Sequence, residues 1–342
     1  MTNETISLYS EYLSNGSQLV IMPMSRVHLE YPLTYPTGIT FYPAGYLDIA
    51  DFRVVPNSLD SGSLATAASA ATGITQESFD QHPLVVFPAK IPWNTVLKGS
   101  HKSHIKLIKS LSDYVEKTLD VVRFHFCQMH VVDTLPGRAG TLDSNPMFSA
   151  ALLYTLGDHE SYIIAGAAFT HIITKGLGLV LEQLTLEDFP QEGEVGKVLQ
   201  HGLELYSRIL EANNNTSKFV QSMSLLEYLA YPDGYKSFTD VAKIIARYIA
   251  RNSKKYEKLR ERFNELTGKR NASGEFIGYR TRIVHIGDRL DDILSNDNDI
   301  DALFMELNGY IGIVMTHMLK FSDKTWDEYL QIRNAMQPYN AA

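Results

Sequence analysis

Three side chains with the chemistry for catalysis, Arg280, Arg282 and His285, lie inside an otherwise apolar run between residues 276 and 288. Burying uncompensated polar groups costs free energy, so polar residues in such a run need a reason. Histidine titrates near neutral pH, and arginine is a permanently charged donor that can hold two phosphate oxygens at once. Together they suit phosphoryl chemistry with general acid–base catalysis, for which no metal or cofactor is needed.

The spacing of these residues indicates that one chain does not complete the site. Five residues along an α-helix rotate by about 500°, so Arg280 and His285 would point roughly 140° apart. Arg282, His285 and Arg289 would line a second face, because they are spaced by three and four residues. In a symmetric dimer, the Arg280 face of one copy and the His285 face of the other could lie together in one site.

The words around these residues resemble a known family. The spacing Arg280-x4-His285 and residues 279–285 (YRTRIVH) are similar to the HEPN superfamily, and most to its Apea-like branch, in which the word Tyr-x-x-Arg-x-x-Ile-Val-His-Gly is typical. Two details depart from that word: Tyr279 directly precedes Arg280, and Ile286 stands between His285 and Gly287. Residues 224–229, which contain Glu227, resemble the opening helix of the family. The resemblance covers about residues 216–336.

The resemblance implies a metal-independent endoribonuclease that acts as a homodimer. Arg280 and His285 would be catalytic, Arg282 and Arg289 would extend the phosphate track, and Glu227 would orient an arginine. Attack by the ribose 2′-hydroxyl selects RNA over DNA, with tRNA among the candidate substrates. Members of this branch are commonly linked to phage defence or to toxin-type growth arrest.

Each of these residues also has a plainer interpretation. His285 can bond to a carbonyl at a helix end, Arg282 and Arg289 can pair with the aspartates that follow them, and Glu227 can simply lie in a helical bundle. Two other function classes therefore stay open. One is a HEPN module that dimerises or binds RNA without cleaving it, and the other is an enzyme or ligand binder whose chemistry lies in the first half of the chain.

Charge and composition indicate a globular cytoplasmic protein that contains a basic segment. The chain has 342 residues, 44% of them hydrophobic, and a formal charge of −8. Residues 236–289 hold about 14 Lys/Arg against 6 Asp/Glu, whereas residues 290–342 hold about 3 against 9. The basic segment can attract a phosphate backbone or pair with the acidic one that follows. A single cysteine, Cys127, and the lack of an uninterrupted apolar run of about 20 residues favour a reducing cytoplasm and no membrane span.

The first 190 residues are predicted to form an α+β domain, which we expect to sense a signal or bind a target, with an activating ligand or partner. Short runs rich in β-branched and aromatic residues, cut by prolines, predict strands and turns in residues 1–60. Further expectations are strands at 84–87, 121–132, 163–173 and 177–186, a helix at 104–119 and a loop at 58–73.

Residues 191–342 are predicted to form an all-α helical bundle. Helical spacing of apolar residues indicates a lead-in helix at about 197–211, followed by three helices of the bundle at 216–230 capped by Thr216, 237–249 capped by Ser237, and 253–266. A fourth helix in the bundle carries residues 276–288, a fifth has the stripe Leu303, Leu307, Ile311, Val314 and Met318, and a sixth surrounds residues 326–336.

The histidines of the first half raise the alternative of a zinc site. His101, His104, His125 and His130 lie with Cys127 within thirty residues, but none of the spacings is a zinc-finger arrangement. Buried or surface histidines are the favoured interpretation, so no metal is predicted.

Overall fold

The computed structural model describes residues 2–54, 64–131, 134–157, 159–170 and 176–336. Their contacts divide the chain into two compact units, the first with Met1–Val122 and Asp133–Thr185 and the second with Arg123–Val132 and Leu186–Ala342. All described strands belong to the first unit, and the second is helical. The expected mixed α/β N-terminal region and helical C-terminal part are therefore confirmed. The boundary at residue 190 stays a prediction.

The first unit contains six helices and eight strands among its described residues. The helices are α1 (Thr2–Leu8), α2 (Ser10–Ser14), α3 (Leu64–Ala70), α4 (Gln76–Asp80), α5 (Trp93–Leu97) and α6 (His101–Phe126), whose last four residues belong to the second unit. The strands are β1 (Gln18–Pro23), β2 (Val27–His28), β3 (Leu33–Thr34), β4 (Thr40–Tyr42), β5 (Leu84–Ala89), β6 (Ser149–Thr155), β7 (Glu160–Gly166) and β8 (Leu179–Val180).

An antiparallel sheet of six strands in the order β3-β4-β5-β1-β6-β7 organises the first unit, and β2 pairs with β8 in a separate parallel pair. Every residue of β1 is buried, so the middle of the sheet is covered on both faces. Leu19, Ile21 and Val86 belong to the apolar cluster on one face. On the other face the Phe87 ring lies 5.1 Å from the Tyr114 ring of α6, measured between centroids.

Five expectations for the first unit differ from the structure. Of the strand predicted at 177–186, only Leu179–Val180 forms a strand. The strand predicted at 121–132 is wrong, because the apolar helical period of α6 continues to Phe126 and outweighs the β-branched composition. The loop predicted at 58–73 contains α3, an alanine-rich helix; residues 55–63 lie outside the described part. The helices α1 and α2 were missed, although Ile6, Tyr9 and Leu13 have helical spacing. The strand predicted at 163–173 corresponds to β7, which ends at Gly166, and residues 171–173 lie outside the described part.

The second unit has the helices α7 (Glu194–Leu210), α8 (Asn215–Ala230), α9 (Phe238–Ile249), α10 (Ser253–Thr267), α11 (Tyr279–Thr281), α12 (Leu290–Ile293), α13 (Asp297–Leu319) and α14 (Trp326–Ala335). A π-helical turn at Arg282–Ile286 directly continues α11. Ser237 caps α9 as predicted. Thr216 does not cap α8, because the Asn214 side chain accepts from the Ser217 N–H instead. The Thr216 hydroxyl accepts from the Leu290 N–H at 2.9 Å, at the start of α12.

Helix α13 is the centre of the second unit and packs against α7, α8 and α9. The predicted apolar stripe is confirmed, since Leu307, Ile311 and Val314 are fully buried. It is also the one described helix whose length and composition would allow a membrane span. A buried stripe inside a helical bundle is the pattern of the core helix of a soluble protein. The cytoplasmic location stays a prediction.

Two isoleucines of α13 allow a matched test of this core. Ile311 is fully buried and Ile313 is 44% exposed. We expect Ile311→Ala to lower the free energy of unfolding by about 2–5 kcal/mol, because it leaves a cavity in the core. Ile313→Ala should change it by less than about 1 kcal/mol. Urea unfolding followed by circular dichroism measures both, and equal losses would contradict the orientation of α13.

His317 of α13 lies in an aromatic cluster with Tyr248 of α9 and Tyr329 of α14. Its ring centroid is 5.1 Å from that of Tyr248, and its Nδ1 is 3.2 Å from the Tyr329 hydroxyl. Burial, with a smaller effect of the Lys320 charge, lowers the pKa of His317. The neutral ring is therefore the form that the folded unit favours.

This lowered pKa makes the second unit sensitive to acid. The unfolded chain binds a proton on this ring below about pH 6.5, and the folded chain does so only at lower pH, so acidification favours unfolding. We expect the loss of unfolding free energy between pH 7.5 and 5.5 to be smaller in His317→Gln than in the wild type. An equal loss in both proteins, measured by urea unfolding, would show that His317 does not contribute.

Candidate functional site

The candidate site is the segment from Tyr279 to Arg289, and glycines set both ends of its helix. Gly278 precedes α11, where an added Cβ would stand 2.5 Å from the Thr267 carbonyl oxygen, so only glycine fits this approach to the end of α10. Gly287 has φ +92°, a left-handed conformation that terminates the helix after Ile286. The helix predicted for residues 276–288 is therefore confined to eight residues.

A π turn occupies the second half of this helix. The Gly287 N–H donates to the Arg282 carbonyl at 3.0 Å, which is a hydrogen bond across five residues. A π turn rotates less per residue than an α turn. The angle between Arg280 and His285 is consequently smaller than the roughly 140° of a regular helix. π turns are frequent at functional sites, so this turn favours a functional role for the segment.

Arg280 lies half-buried at the start of the segment. Its guanidinium carbon is 4.6 Å from the centroid of the Phe238 ring, a cation–π contact with the first residue of α9. Its Nε atom is buried and has no hydrogen-bond partner among the described residues. A buried unpaired N–H is costly, so a ligand oxygen that reached it would be favoured.

Arg282 is paired within its own chain. Its Nε donates to Asp288 Oδ2 at 2.7 Å, and both side chains are about one-third exposed. Arg282 thus forms the ion pair with a following aspartate that its plainer interpretation predicted. A paired arginine keeps its other guanidinium N–H groups available, so the contact does not prevent phosphate binding.

His285 and Arg289 are the exposed members of the set. The His285 ring makes no hydrogen bond to any described residue, so it does not act as the helix cap that the plainer interpretation required. Arg289 forms no described ion pair, and only its backbone N–H donates to Asp292, at 3.3 Å. Both side chains are free to meet a ligand or a second chain.

Glu227 does not join this group. It is partly buried on α8, and no hydrogen bond or ion pair in the described part of the chain connects it to Arg280 or Arg282. The contact between α8 and the segment comes from Phe219, whose ring centroid lies 6.3 Å from that of Tyr279. An orienting role for Glu227 therefore stays a prediction without a contact behind it.

An ion pair that the sequence did not predict supports the segment from behind, and we call it the Arg262 buttress. The Arg262 guanidinium holds Glu306 of α13 with contacts of 2.8 to 3.1 Å and lies 5.9 Å from the Tyr279 ring centroid. The hydrogen bond to Glu306 is the main reason why the pKa of Arg262 is above its usual value. The available signal was Glu306 itself, a charge within the otherwise apolar pattern of α13 between Leu303 and Leu307.

Part of the basic segment 236–289 is paired with described residues and part of it is not. Five of its cations pair with carboxylates, but among the described residues only Arg262 pairs with the acidic segment that follows. Arg251, Lys254, Lys255 and Lys258 are exposed near the start of α10 and form no described ion pair. Their positive charge is available to a polyanion.

Exposed apolar side chains surround the charged ones. Val284 and Ile286 are 47% and 59% exposed, and Phe276 and Ile277 are more than one-third exposed. Four exposed large apolar residues within one short segment are more than scattered surface positions provide. A face of this composition is suited to contact with another protein surface.

The histidines of the zinc alternative do not converge. His104 Nε2 bonds to the Val96 carbonyl oxygen at 2.9 Å in the first unit. His125 lies in the second unit, where its Nε2 is 4.0 Å from Asp188 Oδ1, and Cys127 is buried. Within the described ranges, no group of three or more His, Cys, Asp or Glu side chains could hold a metal ion.

Comparisons with the models of protein families, with curated proteins and with solved structures found no significant match to this chain.

The left-handed glycine gives a direct test of how the segment is held. Gly287→Ala should lower the free energy of unfolding by about 1–2 kcal/mol, because a side chain disfavours positive φ. Gly309→Ala is the control: it lies inside α13 with open space around the added Cβ, so alanine should stabilise by about 0.5–1 kcal/mol. Thermal unfolding compares the two, and stabilisation by both substitutions would contradict the left-handed end of the π turn.

Proposed function

We propose that the second unit is a HEPN-like domain of the Apea-like type and that it cleaves RNA without a metal, as a homodimer. The observation that carries the proposal is the segment Tyr279–Arg289, which contains Arg280, Arg282 and Arg289 and in which a π turn exposes His285 with no hydrogen-bond partner among the described residues. The resemblance of residues 279–285 to the family word adds to it. A role in phage defence or toxin-type growth arrest belongs to the same proposal.

The proposed reaction is an internal transfer at phosphorus. One His285 takes the proton of the ribose 2′-hydroxyl, whose oxygen forms a bond to the adjacent phosphorus as the bond from phosphorus to the 5′-oxygen breaks. The protonated His285 of the second copy gives its proton to that 5′-oxygen. The products are a 2′,3′-cyclic phosphate and a free 5′-hydroxyl, so atoms and charges balance.

The arginines supply the positive charge that this step requires. Arg280 binds the non-bridging oxygens, and its unpaired Nε is the donor that such an oxygen would satisfy. Arg289 and the free N–H groups of Arg282 extend the track for neighbouring phosphates. The exposed lysines at the start of α10 add a longer-range attraction for the RNA backbone.

The exposed apolar side chains explain why a second copy belongs to the site. Val284 and Ile286 flank His285 in sequence and are about half exposed. Covering them with the same segment of a second chain buries apolar surface and places two His285 rings near each other. The same contact supplies one base and one acid.

Cleavage assays test the proposed residues. Wild-type protein should cleave total RNA or tRNA in EDTA, and His285→Ala and Arg280→Ala should each lower the rate by at least about a hundredfold. His201→Ala removes an exposed histidine of α7 and serves as the control with wild-type activity. Cleavage that survives both site substitutions would exclude this site, and substrates that lack the 2′-hydroxyl should not be cut.

Mixed dimers test the shared site. With about a ninefold excess of co-expressed His285→Ala chains, activity per wild-type chain should fall to about one tenth, because only about one wild-type chain in ten then pairs with a second wild-type chain. Unchanged activity per wild-type chain would show that each chain works alone. Ile286→Asp should shift the protein from dimer to monomer in light scattering and lower cleavage in parallel.

A HEPN module that binds RNA or dimerises without cleavage is the second candidate. The absence of a contact between Glu227 and either arginine, and of an orienting hydrogen bond on His285, within the described residues favours it. RNA binding that depends on Arg280 and Arg289, with no cleavage of any RNA tested, would assign this function instead.

A further inference from the structure

A cavity of about 860 Å³ lies within the second unit, apart from the segment Tyr279–Arg289. Its walls come from α13, α7, the end of α6 and residues 186–191. This volume lies in the range of cavities that bind small molecules. Among its lining residues Tyr206 is buried, Phe124, Asn308 and Asp188 are partly buried, and Glu187 and Lys320 are exposed.

Helix α13 presents a second stripe to this cavity. Asn308, Gly312 and Thr316 repeat every four residues and line it, on a different face from the buried Leu307 and Ile311. An added Cβ at Gly312 would have nothing within 4 Å. The backbone of α13 is therefore open to an occupant of the cavity.

The Met129 backbone N–H orients the Asn308 carboxamide, because it donates to Asn308 Oδ1 at 3.4 Å. The Tyr206 hydroxyl, which has a single proton, lies 2.7 Å from the same Oδ1 and 2.9 Å from the Cys127 carbonyl oxygen. An N–H can only donate, so the atom that faces Met129 must be the oxygen. The Nδ2 group is left as a donor with no hydrogen-bond partner among the described residues, on a side chain that lines the cavity.

Aromatic rings form the wall beside this donor. The Phe124 centroid is 5.3 Å from that of His125 and 5.9 Å from that of Tyr206, both in edge-to-face arrangements. Such a wall favours a flat ring. Because the Asn308 donor lies beside it, the ring must carry an acceptor, as a heterocyclic nitrogen or carbonyl does and a plain phenyl group does not.

The cavity lining is also acidic. Glu187, Asp188 and Asp323 are lining residues, as is Lys320; Lys324 donates to Asp323 at 2.8 Å, and His125 Nε2 is 4.0 Å from Asp188 Oδ1. Carboxylates accept hydrogen bonds from neighbouring hydroxyls and repel phosphate. The expected substituent on the ring is therefore an uncharged polyol such as ribose.

We propose that this cavity binds a free ribonucleoside. The base lies against Phe124 and Tyr206 and accepts a hydrogen bond from Asn308 Nδ2, and the ribose hydroxyls donate to Asp188 and Glu187. The site is separate from the RNA-cleaving segment and does not depend on the function proposed for it.

Calorimetric titration of the full chain with adenosine, guanosine, cytidine and uridine in turn tests the proposal. At least one should bind with 1:1 stoichiometry, and Gly312→Leu should weaken it at least about tenfold by filling the cavity. Gly309→Leu is the matched control: the same change on the same helix, also into open space, should leave affinity within about twofold. No binding of any nucleoside, or equal losses in the two variants, would overturn the proposal.

Further probes separate the ligand classes. Asn308→Asp keeps the acceptor for Tyr206 but removes the Nδ2 donor, and should weaken nucleoside binding at least about tenfold. The matching 5′-monophosphate should bind more weakly than the nucleoside. Tighter binding of tryptamine would assign an aromatic amine instead, and a hexaribonucleotide that binds where nucleosides do not would assign the cavity to RNA; either result overturns the proposal.

Discussion

Burial of one stripe of α13 is the constraint on which the second unit depends. Leu307, Ile311 and Val314 have no exposure, so the rotation of α13 about its axis is fixed. That rotation decides where its polar residues point. Glu306 forms an ion pair with Arg262 behind the segment Tyr279–Arg289, and Asn308 contacts the Tyr206 hydroxyl at the cavity. A single apolar face therefore positions two different polar environments.

The buttress at Arg262 shows how the candidate segment is supported without being covered. Arg262 contacts Glu306 on one side and Tyr279 on the other, while Val284, His285 and Ile286 of the π turn are exposed. Support from below and exposure above suit a surface that is completed by a second molecule. In the proposed dimer, such a surface would keep its geometry before the second copy binds, which lowers the entropy cost of association.

Sequence periodicity predicted the helices of the second unit well, because their apolar stripes are long and regular. The stripe of α13 and the Ser237 cap were both found in this way. Composition alone misled at residues 121–126, where β-branched residues continue a helix, and in the alanine-rich α3. The positions of Arg280, Arg282 and His285 on one helix could be predicted. The π turn, the Asp288 pairing and the Arg262 buttress depend on backbone hydrogen bonds and tertiary contacts that no spacing rule contains.

The π turn changes how many residues the end of this helix contains. The Gly287 N–H reaches back five residues to the Arg282 carbonyl, whereas the N–H in an α turn reaches back four. The last turn of the helix therefore holds one residue more than an α turn does. Gly287 then ends the helix through its left-handed conformation, and α12 begins three residues later at Leu290. The effect of the extra residue is thus confined to a single turn.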